Sequence, residues 1–177
     1  MLLPDHVRCA FDVLVELITA GRISAEELSD IGRIVDEGIV ADIASAILPS
    51  AQPGSSEAAV AGTLAWLAHV DLTAVLSPHA IARYMIASVE HGSPTPDPPD
   101  AWIDLYLGSE LHMETAERVQ VIAEVLDNIS SSAPGLWNFA QGIYSLFEMD
   151  KPAMDALRAA VKNQSILMTL DSLSAER

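Results

Sequence analysis

The chain has 177 residues, and its 25 acidic side chains outnumber 9 basic ones to give a net charge of −16, although half of the residues are hydrophobic. That hydrophobic share excludes a disordered chain, which would pair high charge with too little apolar surface to bury. The sign of the charge excludes ordinary nucleic-acid binding and attraction to anionic lipid, because both surfaces repel carboxylates.

The length suits one domain, so residues 1–177 are expected to form a single helical domain. The lone Cys9 has no internal disulfide partner and fits a reducing, cytoplasmic setting. Asp5 stands where a signal peptide would carry a base. The apolar run Ala58–Leu76 includes His69 and Asp71 and lacks a basic flank, so it reads as a buried helix and no membrane association is expected. The charge is uneven: residues 1–150 hold 22 acids and 5 bases, whereas residues 151–177 hold 3 acids and 4 bases.

In chain order, Val7, Ala10, Phe11, Leu14, Leu17 and Ile18 recur at three- and four-residue steps, which predicts a helix from after Pro4 to Gly21. Ser24 and Glu27 form a capping box ahead of the stripe Leu28, Ile31, Ile34 and Val35. Gly38 is expected to end or kink that helix, with Ile39–Leu48 continuing helically to Pro49. Residues 49–56 read as a linker that ends on Ser55 or Ser56 as N-cap. The next helix, about Glu57 to His69, has a face of Ala58, Ala61, Gly62, Ala65 and Ala68 that suits the centre of a bundle. Asp71 caps a short helix to Leu76, and Ser77-Pro78 starts a long one ending at His91-Gly92.

Residues 92–100 contain four prolines and read as a rigid loop. Helices are then predicted over Ala101–Leu107, Met113–Ile129, Leu136–Phe147 and Pro152–Val161, the last capped by Asp150. A final amphipathic piece carries Ile166, Leu167, Leu170 and Leu173, within a mildly basic segment at 151–177. With no clean strand alternation and no repeat signature, the fold class is all-α, a single-domain bundle or irregular array of about seven to eight helices.

No phosphate-binding loop, nucleophile elbow or paired Cys-x-x-Cys is present, so no catalytic residue, cofactor or metal is assigned. His6 and Cys9 share a helix face but lack an orienting third group, so an ordinary buried cysteine beside a surface histidine is expected. Glu110, Glu114 and Glu117 share a helix face as a feasible half of a carboxylate metal site, with His112 pointing elsewhere, yet acids at a helix start are explained by its dipole. His69, His79 and His91 have no diagnostic spacing, and Asp71 reads as a cap. Trp137 with Tyr144, and Phe139 with Phe147, form two aromatic ridges on one helix, one of them core and the other available to an interface.

The leading expectation is a non-enzymatic acidic protein that binds, and inhibits or neutralises, a basic protein partner in the manner of an immunity protein or nucleic-acid mimic. The expected contact residues are Asp97, Asp100, Asp104, Glu110, Glu114, Glu117 and Glu124, where acid density is highest, with Trp137 and Tyr144. Two alternatives stand beside it. One is a metal-carboxylate protein or other enzyme using Glu110, Glu114 and His112; the other is a homodimeric structural or adaptor bundle whose acidity only keeps it soluble.

Overall fold

The computed structural model describes residues 3–91, 113–147 and 150–175. Within them every regular element is a helix, as an all-α fold requires. The helices are α1 (Asp5–Thr19), α2 (Ala25–Ile34), α3 (Glu37–Ile47), α4 (Ser56–Leu67), a 3₁₀ turn at Leu72–Ala74, α5 (Pro78–His91), α6 (Thr115–Asn128), α7 (Leu136–Phe147), α8 (Lys151–Ala160) and α9 (Gln164–Ala175). None of the described helices is long and apolar enough to cross a membrane. The expected loop at 92–100 and helix at 101–107 lie outside the described residues.

The caps account for most of the boundaries. Ser24 Oγ accepts from the amide of Glu27 at 3.2 Å while the Glu27 carboxylate accepts from the Ser24 amide at 2.8 Å, a complete capping box. The bonds that the Ser24 amide and hydroxyl donate to the Glu27 carboxylate hold it below its ordinary pKa. Ser55, Asp71, Ser77 and Asp150 each accept from an amide two or three residues on. The break between α2 and α3 falls earlier than Gly38. Val35 is extended, and Asp36 Oδ1 takes the amides of Gly38 and Ile39 at 2.9 and 3.3 Å, so Gly38 sits inside the first turn of α3. A short carboxylate that can cap the next helix outcompetes helix continuation.

Helix α4 occupies the middle of the first half, with Ala58 through Ala65 all buried. Helices α1, α2 and α3 pack against it, the small side chains letting their backbones come close. Helix α4 ends two residues before the expected His69. Ala68 is its cap, the His69 amide donates to the Trp66 carbonyl at 3.1 Å, and the Val70 amide donates to the Ala65 carbonyl at 2.9 Å. This is a Schellman motif, and the same motif closes α1 through Gly21 and Arg22. Gly21 has φ +64°, whereas His69 holds φ 53° with a β-carbon in place. A left-handed conformation costs a non-glycine residue about 1–2 kcal/mol, partly offset by the extra freedom glycine has when unfolded. His69→Gly is therefore expected to stabilise the protein by about 0.5 kcal/mol or more in urea unfolding. A loss of stability would show that contacts of the imidazole outweigh the backbone strain.

In the second half, α5 packs on α6 and α7, α6 also packs on α8, and α7 meets α8 and α9. The main packings thus join helices within Asp5–Leu67 or within Pro78–Ala175, while the buried side chains from Phe11 to Leu170 form one continuous core. Tyr84 of α5 spans the two groups. Its buried hydroxyl donates to the carbonyls of Leu48 and Ala51 at 2.5 and 2.9 Å. The turn 130–135 closes on the end of α5: the Gly135 amide donates to the Val89 carbonyl at 2.9 Å, and the Glu90 carboxylate accepts from the Ser130 amide.

Candidate acidic interaction site

Helix α6 carries the carboxylates of a polar concavity in the second half. Glu117, Gln120, Glu124 and Asp127 recur at three- and four-residue steps, so they line one face of the helix. Pro78 at the start of α5 and Ala160 and Lys162 at the end of α8 complete the walls of a cleft of about 360 Å³. Three carboxylates and one ammonium therefore share one open space.

These carboxylates do different things. Glu117 is exposed in the first turn of α6, where the helix dipole favours an anion. Glu124 Oε1 lies 2.5 Å from His79 Nδ1, linking α6 to the first turn of α5. Asp127 stands near the C-terminal end of α6, where the dipole disfavours a negative charge. It is offset by two donors, the amides of Lys162 and Asn163 at 2.7 and 2.9 Å. Those contacts pin the α8–α9 connection to α6, and Asn163 Oδ1 in turn accepts from the Ile166 amide at 3.3 Å.

Of the expected contact residues, Glu117 and Glu124 are brought together in the cleft. Glu114 is exposed just before α6, without a side-chain cap bond, and does not line the cleft. Asp97, Asp100, Asp104 and Glu110 lie outside the described residues, as does His112, so the proposed Glu110–Glu114–His112 ligand set has no described geometry. Among the described residues no group of three His, Cys, Asp or Glu side chains is placed to hold a metal. Glu117 and Glu124 are separated by about 10 Å along the helix axis, at 1.5 Å rise per residue, too far to share an ion.

The aromatic helix divides as its two ridges suggest. Phe139 and Phe147 are core. Trp137 is 56% exposed, while Tyr144 is half-buried and its hydroxyl donates to the Leu170 carbonyl at 2.8 Å, so α9 covers that end of the ridge. Cys9 is exposed, not buried as expected, because Phe11 is the one described residue of α1 that reaches the core fully. Two of the tail bases pair with local acids, Lys151 with Asp155 at 2.6 Å and Arg158 with Asp171 at 3.1 Å.

Asp127, His79 and Lys162 were not legible as site residues. Their partners are 35 to 45 residues away in sequence, beyond any helical spacing rule. Comparison with protein-family models, curated proteins and solved structures finds no match for this chain.

Proposed function

We propose that this protein acts without catalysis by binding a basic protein partner, and that the α6 cleft is part of the contact. The observation that supports this most is the convergence of Glu117, Glu124 and Asp127 on one open cleft in a chain of net charge −16. An acidic concavity focuses field toward a cationic side chain, raises the encounter rate with basic surfaces and disfavours acidic ones. Covering a basic, nucleic-acid-facing surface in this way would neutralise the partner.

The test is titration of a lysine-rich peptide against the wild type and a Glu117→Lys, Glu124→Lys double variant at low salt. The double variant is expected to bind about tenfold more weakly, with both affinities falling as salt rises. Equal affinity in the two proteins would overturn the cleft as the contact.

The exposure of Trp137 favours a second reading, a homodimer through α7, since large exposed aromatics are typical of interface centres. Light scattering separates the two, because an apolar dimer persists in high salt and is lost in Trp137→Ala.

A further inference from the structure

We propose that a second copy of this chain docks on α7 in an antiparallel pairing, with Trp137 of each copy against Tyr144 of the other. The inference rests on the reading of α7 as a homodimer surface and adds the geometry of that pairing. Trp137 and Tyr144 are seven residues apart, two helical turns, so they stand on one ridge with Gln141 beside it. Trp137 is exposed and Tyr144 half-buried, while Leu136, Phe139, Ala140, Ile143 and Phe147 turn to the core.

Charge selects the occupant. Residues 128–147 contain no Asp, Glu, Lys, Arg or His, the longest such run in the sequence. Two copies of a chain with net charge −16 repel each other, and they repel least where neither carries a charge. A basic partner finds no carboxylate on this helix to hold it. The ridge instead supplies both halves of a self-matching contact: a large exposed indole and, two turns on, a half-buried phenol ring for an indole to cover.

Orientation follows from the acid beyond α7. Asp150 caps α8 three residues after Phe147. A parallel pair would bring the two Asp150 side chains to the same end and set like helix dipole ends together. In an antiparallel pair each Asp150 lies at the end where the other copy has its uncharged turn 130–135, and the dipoles oppose favourably. Matching 137 to 144 places the two-fold axis between Ala140 and Gln141.

The register is read by cross-linking in the full chain with Cys9→Ser, since Cys9 is exposed. Across the axis the two Gln141 positions are offset by about 1.5 Å along the helices and the two Ser145 positions by about 13.5 Å, at about 1.5 Å rise per residue. A disulfide reaches about 7 Å between α-carbons. Mild oxidation is therefore expected to link Gln141→Cys into a covalent dimer and to leave Ser145→Cys unlinked. Sedimentation equilibrium is expected to show a wild-type dimer that tightens as salt rises, because salt screens the repulsion between acidic copies and spares an uncharged contact. Trp137→Ala is expected to weaken it about tenfold or more, and the fold should survive the loss of an exposed side chain. Cross-linking of both cysteine variants, as a parallel pair would give, or of neither, overturns the antiparallel register while leaving a homodimer through α7 standing. A wild type that stays monomeric at every salt concentration, a dimer that loosens as salt rises, or one that Trp137→Ala does not weaken overturns the homodimer reading and this inference with it.

Discussion

Gly135→Ala is expected to cost about 2–3 kcal/mol and to lower the melting temperature by roughly 5–10 °C. A β-carbon at Gly135 would lie 2.9 Å from Val89 Cα, 3.0 Å from the Val89 carbonyl oxygen and 3.4 Å from that of Ser88. All three are backbone atoms of α5, so no rotamer change relieves the contact, and the turn 130–135 must move away. Moving it stretches the Gly135 amide to Val89 carbonyl bond, which satisfies one of the carbonyls that the end of α5 leaves without an intrahelical partner. The Glu90 contact with the Ser130 amide is strained with it. Gly21→Ala is the useful comparison. Gly21 has φ +64° but nothing near its would-be β-carbon, so its cost is conformational alone, about 1 kcal/mol. Chemical denaturation of both variants checks the argument; a Gly135→Ala loss no greater than that of Gly21→Ala would mean that the close approach to α5 is not maintained in solution.

Tyr84→Phe is expected to cost about 1.5–2 kcal/mol, read as a fall of roughly 3–8 °C in melting temperature. The ring volume is conserved, so packing around this buried side chain changes little. What goes is the hydroxyl proton, shared between the Leu48 carbonyl at the end of α3 and the Ala51 carbonyl beyond it. Both oxygens then lose a buried or half-buried donor. The difference between the two proteins also depends on pH. Burial raises the Tyr84 pKa, opposed by Arg83 and assisted by Glu57. A folded-state value above the unfolded one means that this contribution is fully present below about pH 10 and declines as the pH rises through the folded value. The stability gap between wild type and Tyr84→Phe is therefore expected to narrow above about pH 10, the other two tyrosines being common to both. A gap that stays constant into the alkaline range would show that the phenol is not the donor.

What could be read in advance followed from short-range rules. Capping residues at Ser24, Ser55, Asp71, Ser77 and Asp150 announced helix starts because a side-chain oxygen and the amide it serves are only two or three residues apart. The apolar periodicity of α7 gave its bounds, and its two ridges anticipated a buried Phe139 beside an exposed Trp137. The misplaced break at Gly38 has the same origin: Asp36 was a cap in plain view, but glycine is the commoner helix end and drew the boundary to itself. The left-handed cap at His69 is not legible because a C-terminal left-handed residue is recognised by its glycine, which is missing there. The cleft was half legible. Glu117 and Glu124 share a face by spacing alone, while His79, Lys162 and Ala160 reach that face only because α5 and α8 pack on either side of α6, and nothing local encodes that meeting. The chemistry of Asp127 was hidden for the same reason, since its donors belong to a turn that is distant in sequence.

The division of helix packings on either side of residue 77 has a kinetic consequence. Because the main packings stay within α1–α4 and within α5–α9, each group of helices can assemble separately. The bonds of Tyr84 to Leu48 and Ala51 join residues more than 30 positions apart, and they form only when the two assemblies meet. Such late contacts govern how fast a native chain comes apart more than how fast it forms. The phenolic proton of Tyr84 thereby contributes to the lifetime of the folded protein alongside the continuous core, and it does so from a residue that does not line the acidic cleft.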